Sequence, residues 1–338
     1  MKSMAGIDVE LPPGFIGRWI DPDADSQSIT DLCNAAAIAE YGTPNATLQM
    51  VRESYNVPSF DPRTDGRLVI DSLGQAAAVG EFYDNDAEHV APFVYLRVRP
   101  DLLESGILEG LIAWVERRGE ANVHLAAPEL RVALHTNVPG VNNEMQRAVE
   151  RSGWQLERIY WTMEIELDEE APVVPPLPEP ITIRTAVPDQ DEPAVFEADC
   201  EAFADHYGFV PRTYDNWLQF ATQFNPYDPS LWFLAMDRDQ IAGISLCLPE
   251  ASGRPEMGWV SELGVRPAWR GKGLGLALLK HSFGEFHARG KRQVGLGVDS
   301  QSLTGATRLY ERAGMHAARD EREYELVLRE GREIRKTS

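Results

Sequence analysis

The run Ala171–Pro180, APVVPPLPEP, constrains this chain more than any other stretch. Its prolines at 172, 175, 176, 178 and 180 can continue neither a helix nor a central strand. It reads as a stiff polyproline-like linker that divides the 338 residues into two halves of domain size. The halves are alike. In the first, an alternating strand at 93–98 meets Arg99-Pro100 and leads to an apolar helix from about Ile107 to Arg117. In the second, a strand at 260–265 meets Arg266-Pro267 and leads to a helix from about Leu274 to Ala288. Further on, QRAVERSGW (146–154) corresponds to TRLYERAGM (307–315). The offsets are 167 residues at the prolines and 161 at Gly153 and Gly314, a difference that loops absorb. A tandem duplication accounts for this, with a first domain at 1–170, the linker at 171–180 and a second domain at 181–330.

Within the second half, strands are expected at 181–186, 231–236, 241–248, 258–265, 293–298 and 323–328, and helices at 192–204, 214–224, 274–288 and 304–312. Asp237–Gln240 makes a hairpin turn. Strands and helices alternate only in part, so the fold class is α/β with a mixed (α+β) sheet: two tandem domains, each a mixed central sheet flanked by helices.

The composition, 43% hydrophobic and 25% charged, is that of a globular protein. No stretch approaches 18 consecutive apolar residues, and Met1–Pro13 lacks the basic and apolar blocks of a signal peptide, so a cytoplasmic protein with no membrane partner is expected. Cys33, Cys200 and Cys247 form no CxxC pattern and no metal spacing with histidine, which argues against disulfides and a metal site. The net charge of −21 makes nucleic acid a poor partner. That charge is uneven: residues 1–178 hold 13 basic and 29 acidic side chains (−16), and residues 179–338 hold 19 and 24 (−5). Seven basic residues and one acid fall between Arg266 and Arg292, a cationic segment that needs a reason.

The chemistry-bearing segment is Leu263-Gly-Val-Arg-Pro-Ala-Trp-Arg270-Gly-Lys-Gly-Leu-Gly275, which passes from a strand into a helix. Glycines at 271, 273 and 275 let successive backbone N–H groups converge, and the helix adds unpaired amides and its positive dipole end. Such a loop suits a pyrophosphate, with Arg270 and Lys272 adding charge. A purely structural turn would spend three glycines without return. A dinucleotide loop needs G-x-G-x-x-G, against G-x-G-x-G here, and the lysine loop of nucleotide hydrolases is absent.

The segment closely resembles the acetyl-CoA motif [RQ]-x-x-G-x-[GA] of the GNAT superfamily of N-acetyltransferases, which Arg270-Gly-Lys-Gly273-Leu-Gly275 fits at every fixed position. Downstream, Val298-Asp299 ends a strand, Thr304-Gly-Ala306 opens a helix, and Leu309-Tyr310-Glu311-Arg-Ala-Gly314-Met315 matches the family's L-Y-E-x-x-G-[FM]. The likeness covers residues 180–330, and the tandem plan is similar to that of the mycothiol synthase group.

The resemblance implies an acetyl-CoA-dependent N-acetyltransferase that acts by direct attack of a primary amine, a small molecule more than a protein, on the thioester. The first strand of the motif would splay from its neighbour, with Leu263, Gly264 and Val265 bonding the pantetheine arm and Arg270, Gly271, Lys272, Gly273, Leu274 and Gly275 holding the pyrophosphate. Lys280 or Arg289 would meet the adenosine 3'-phosphate. Tyr310 is the implied general acid. The implied base is less direct, because relatives carry a glutamate where this chain has Trp259. Glu262 lies three residues on, on the opposite face of an ideal strand unless a bulge reorients it; its structural alternative is a partner for Arg266 or Arg292. Asp205 and His206 fall where the family gathers substrate contacts. Ser302 replaces a frequent asparagine at the cofactor arm. Aligned at Arg99-Pro100, the first domain puts Leu103 and Glu104 where Arg270 and Gly271 stand and Val149 opposite Tyr310, so it is expected to bind no acetyl-CoA productively. An acyl-CoA sensor without catalysis, or an enzyme of longer acyl groups, would keep the same loop.

Overall fold

The computed structural model describes residues 9–57, 59–209, 213–222, 227–302 and 305–335. In chain order the elements are β1 (Ile16–Arg18), α1 (Pro22–Tyr41), α2 (Leu48–Ser54), β2 (Gly66–Ile70), β3 (Ala76–Tyr83), β4 (Phe93–Val98), α3 (Ile107–Asn122), β5 (Val132–Pro139), α4 (Asn143–Arg151) and β6 (Gln155–Glu166). They continue with β7 (Ile181–Thr185), α5 (Glu192–Phe203), α6 (Tyr214–Thr222), β8 (Trp232–Asp237), β9 (Gln240–Leu248), β10 (Met257–Val265), α7 (Leu274–Ala288), β11 (Gln293–Asp299), α8 (Ala306–Arg312) and β12 (His316–Arg329). The expected first turn of α8 at Thr304 lies outside the described residues.

The chain forms two compact units, one of residues 1–159 with 320–334 and one of residues 160–319 with 335–338. In the first, β1 to β4 form an antiparallel run, β4 meets β5 in parallel, and β12 pairs antiparallel with β5. In the second, β7, β8, β9 and β10 are antiparallel, β10 meets β11 in parallel, and β6 pairs antiparallel with β11. Each unit therefore closes its mixed sheet with a strand from the other half of the sequence. This shifts the boundaries expected at 170 and 181. The chain passes between units inside β6 and inside β12, because a strand rich in β-branched and aromatic residues is stable only where it pairs. The proline run sits within the second unit. There Leu177 packs on the core, and the Pro178 carbonyl accepts from the Ile181 amide at 2.9 Å, as the Pro12 carbonyl does from the Phe15 amide at 3.4 Å.

The duplication reaches side chains that the sequence comparison did not align. Arg18 forks onto Asp25 with two bonds of 2.6 Å, and 166 residues later Arg184 forks onto Asp191 at 2.6 and 2.8 Å. Each pair ties a first strand to its following helix by bidentate, charge-assisted bonds. α3 and α7 both begin at a left-handed glycine, Gly106 (φ 90°) and Gly273 (φ 82°).

In the second unit two apolar cores lie on opposite faces of the sheet. One joins α7 and α8 to the sheet through Leu278, Phe283, Cys247 and Val260, and the other joins α5 and α6 through Val195, Trp217, Ile244 and Leu246. Burying each such side chain contributes roughly 1.5–3 kcal/mol. Among the described residues, no helix is long and apolar enough to cross a membrane.

Candidate active site

The two motif strands diverge. β10 and β11 are in register from Met257/Gln293 to Val260/Leu296, yet β10 runs on to Val265 and β11 to Asp299. On its other edge β10 stays paired with β9 to Val265/Gly243. A wedge therefore opens beside Leu263, Gly264 and Val265, and an extended arm laid there could bond β10 as an added strand.

β10 also carries a bulge. Val260 pairs with Cys247 and Glu262 with Leu246, which leaves Ser261 as the extra residue. Trp259, Glu262 and Gly264 consequently pair with Leu248, Leu246 and Ile244, on the face of α5 and α6. Val260, Leu263 and Val265 pair with Cys247, Ser245 and Gly243, on the face of α7. Glu262 is thus brought to the same face as Trp259. Gly264 is a close-approach glycine: a Cβ there would stand 2.9 Å from Ala202 Cβ and 3.0 Å from Phe203 Cε2.

The loop after β10 is shaped for an anion. Gly271 (φ 76°) and Gly273 (φ 82°) are left-handed, both are exposed, and a Cβ on either would meet nothing within 4 Å. Gly273 caps α7 without a side-chain bond, which leaves the first-turn amides to a ligand. The Arg270 side chain faces inward: Nε donates to the Val265 carbonyl at 3.1 Å and Nη2 to the Ala202 carbonyl at 2.9 Å, while Asp205 takes the guanidinium at 2.5 and 3.1 Å. Lys272 is exposed and has no acidic partner among the described residues. These features fit the diphosphate of an acyl-CoA.

The cationic segment is otherwise largely spent on structure. Arg266 pairs with Glu201, Arg289 with Asp228 and Glu285, Lys280 donates to the Ala313 carbonyl, and Lys291 to the Pro255 carbonyl. Lys280 and Arg289, expected on a phosphate, are held by these partners. Asp205, expected beside substrate, is engaged by Arg270, whose hydrogen bonds hold its carboxyl below the usual range.

Tyr310 projects from α8 and is only 7% exposed. Burial, and then the nearby Glu262 carboxylate, push its phenol up to about 12. The His206 ring meets Phe203 edge-on at 4.6 Å. Burial lowers its pKa, against the opposing pull of Asp205, and Arg270 and Asp299 also act on it. Ser302 closes a turn in which its amide donates to the Asp299 carbonyl at 3.0 Å. Trp259, Gly295 and Gly297 also belong to the Glu262 face, and the sequence reading gave them no role. Two glycines at alternate positions of β11 were the available signal.

The model of the acetyltransferase (GNAT) family matches residues 193–315. Mycothiol acetyltransferase of Streptomyces scabiei is 30% identical over 258 residues, spanning 75% of this chain and 77% of the relative. That of Thermobispora bispora is 28% identical over 286 residues, spanning 81% and 92%. Among solved structures, a GCN5-related N-acetyltransferase from Sphaerobacter thermophilus is 35% identical, with a TM-score of 0.82 and coverage of 97% of this chain and 100% of that one. A tandem GNAT protein from the clavulanic acid biosynthesis pathway, 16% identical, shares the fold with a TM-score of 0.72 over 94% of this chain and 100% of that one. With the diverging strands and the glycine loop, these likenesses show that the chain belongs to the GNAT family. It is an acetyl-CoA-dependent acetyltransferase built from two GNAT-like domains.

Proposed function

We propose that this enzyme transfers acetyl to the primary amine of a small molecule, in the second unit, with Glu262 as base and Tyr310 as acid. The observation that carries the proposal is the wedge between β10 and β11, with Glu262 turned by the bulge onto the α5 face and close enough to Tyr310 to raise its pKa. The relatives named mycothiol acetyltransferase support an acceptor of small-molecule size.

Acetyl-CoA, when bound, supplies the acyl group as a thioester. The amides from Arg270 to Gly275 and the Lys272 ammonium hold its diphosphate, the Leu263–Val265 edge aligns its arm, and Ser302 stands at the arm's far side. An alkyl ammonium has a pKa of about 10.4, so neutralising it at pH 7 costs roughly 4–5 kcal/mol. Glu262 attracts that cation and takes its proton, freeing the lone pair. As the N–C bond forms and the C–S bond breaks, Tyr310 gives its proton to the departing sulfur. The thiolate is already a tolerable leaving group, with a cysteine-like pKa of about 8.5, so Tyr310 contributes less than the base does. His206, on the α5 side, borders the acceptor. Asp205 acts through Arg270 as a positioning residue.

We assign no acetyl transfer to the first unit. Tyr95 takes the place of Glu262 there, and Glu81, opposite it on β3, is buried under the Tyr55 and Tyr83 hydroxyls at 2.7 and 2.8 Å. The test is a thiol-release assay over amines, aminoglycosides, polyamines, amino acids and peptides, run beside Glu262→Gln. Acetyl-CoA-dependent turnover of a small amine that falls at least tenfold in the variant is expected. Activity confined to peptides, or unchanged in the variant, counts against the proposal.

A further inference from the structure

β11 presents two adjoining bare positions, Gly295 and Gly297, on the Glu262 face. Trp259 is level with Gly295, so Gly295 and, two residues on, Gly297 share the face of Trp259 and Glu262. The indole lies across the first glycine, with Cζ3 and Cε3 at 2.8 and 3.0 Å from the point a Cβ on Gly295 would take. At Gly297 such a Cβ would meet nothing within 4 Å, and the residue is exposed. Trp259 itself is half-buried.

The first unit serves as an internal control. β4 has no bulge, so with Ser261 set aside Phe93, two residues before Tyr95, is the counterpart of Trp259; it is level with His135, which is 4% exposed, and Asn137 follows on that face. Both glycine positions are thus filled, and Tyr95 fills the carboxylate position. The unit without the implied catalytic pair carries side chains at these two positions, and the unit with that pair leaves them bare.

We propose that Trp259 is the acceptor platform of the second unit: an amine borne on a ring, or on another flat hydrocarbon face, lies on the indole with its nitrogen toward Glu262, and Gly297 stays bare to admit it. This rests on Glu262 being the proton acceptor. An indole offers a wide apolar surface with a negative face, and the C–H groups next to an ammonium are its natural complement. A flexible open chain loses more rotational freedom in making the same contact.

The test is acetyl-CoA-dependent thiol release with cyclohexylamine against hexylamine, in the full chain and in Trp259→Ala, Trp259→Phe and Gly297→Val. Calorimetric acetyl-CoA binding is measured in each. The parent should prefer the ring amine about fivefold or more, Trp259→Ala should erase the preference and Trp259→Phe should keep most of it. Gly297→Val should slow both amines about tenfold or more, with acetyl-CoA affinity held within about twofold throughout. Equal rates for the two amines in the parent, a preference that survives Trp259→Ala, or no turnover of either by a parent that binds acetyl-CoA overturns the proposal. A parent that binds no acetyl-CoA overturns the preceding functional reading, and this one with it.

Discussion

Asp205 grips the Arg270 guanidinium with both carboxylate oxygens, at 2.5 and 3.1 Å. The same guanidinium holds the carbonyls of Val265 and Ala202, so one ion pair fixes the glycine loop to the end of β10 and to α5. Asp205→Ala should raise the KM for acetyl-CoA about tenfold, near 1.4 kcal/mol, and leave kcat within about twofold. Asp205→Asn should fall between, since an amide still accepts from Arg270. Because the folded-state pKa of Asp205 lies below its ordinary 3.8, the pair's contribution is present above that value and is lost only as pH falls through the lowered one. Acetyl-CoA affinity measured from pH 8 to pH 5 should therefore show no step from Asp205. A kcat loss with unchanged KM in Asp205→Ala would move the residue to the acceptor side.

Tyr310 should be a working acid over the whole usable range. Its pKa is pushed up to about 12, so the phenol keeps its proton across neutral and mildly alkaline pH, and a basic limb in kcat below about pH 10 should not depend on it. Tyr310→Phe should lower kcat about tenfold or more with acetyl-CoA affinity unchanged. The raised pKa also bears on stability: the contribution is full below the ordinary value of 10.0 and is lost as pH rises toward about 12. Alkaline melts of the parent and of Tyr310→Phe should diverge above pH 10, and parallel curves would contradict the assignment.

The glycine loop and the L-Y-E helix were legible because each depends on local chain chemistry: positive φ at Gly271 and Gly273, a strand-to-helix corner at Arg266-Pro267, and helical spacing around Tyr310; the divergence of β10 from β11 was expected only through the family resemblance. The duplication was legible for the same reason. Partnership across long sequence separations was not. Nothing local distinguishes a strand at 320–329 that completes the second sheet from one that pairs with β5, and the free-looking cations Lys280 and Arg289 gave no sign of the Ala313 carbonyl or of Asp228. The proline run, read from the sequence as a stiff linker, is neither helix nor strand from 171 to 178. Packing, through Leu177 on the α7 core, decides that it is part of a unit.

The exchanged strands predict which fragments fold. A chain cut to residues 181–338 loses β6, the antiparallel partner of β11 along Gln293–Asp299, and exposes an apolar edge. It should aggregate or melt without a cooperative transition. A chain of residues 160–319 keeps that pairing and should unfold cooperatively in near-ultraviolet circular dichroism. Cooperative melting of the 181–338 fragment would show that β6 is dispensable.

Glycines in the loop should differ in tolerance. Gly273 is left-handed, and an alanine there pays about 1–2 kcal/mol of backbone strain and places a methyl where the ligand would lie. Gly275 lacks a positive φ, and its added Cβ would meet Leu309 Cδ1 at 2.9 Å, the far end of a side chain that can rotate, and Val265 Cγ2 at 3.8 Å, an ordinary contact. Gly275→Ala should therefore keep acetyl-CoA affinity within about threefold, and Gly273→Ala should weaken it about tenfold or more. Calorimetry on both variants decides; an equal loss in the two would place the ligand away from the loop.

Deleting Ser261 should separate binding from chemistry. Without the extra residue, one side of β10 must shift by one position relative to β9, and a one-residue slip turns every side chain on that side to the other face. The segment from Leu263 to Val265 is anchored by Ser245 and Gly243 opposite it and by the loop it feeds, and Val260 is anchored in the α7 core. The residue between these anchors gives way, so Glu262 loses the position on the Trp259 face that the bulge provides. The deletion variant should fold, bind acetyl-CoA within about threefold of the parent, and lose turnover about a hundredfold or more, on the scale of a missing general base. Replacing Ser261 with alanine keeps the bulge and should cost little of either. If the deletion retains turnover, Glu262 is not the base, and the proton of the amine leaves by another group on the α5 side, of which His206, its pKa lowered by burial, is the nearest in kind.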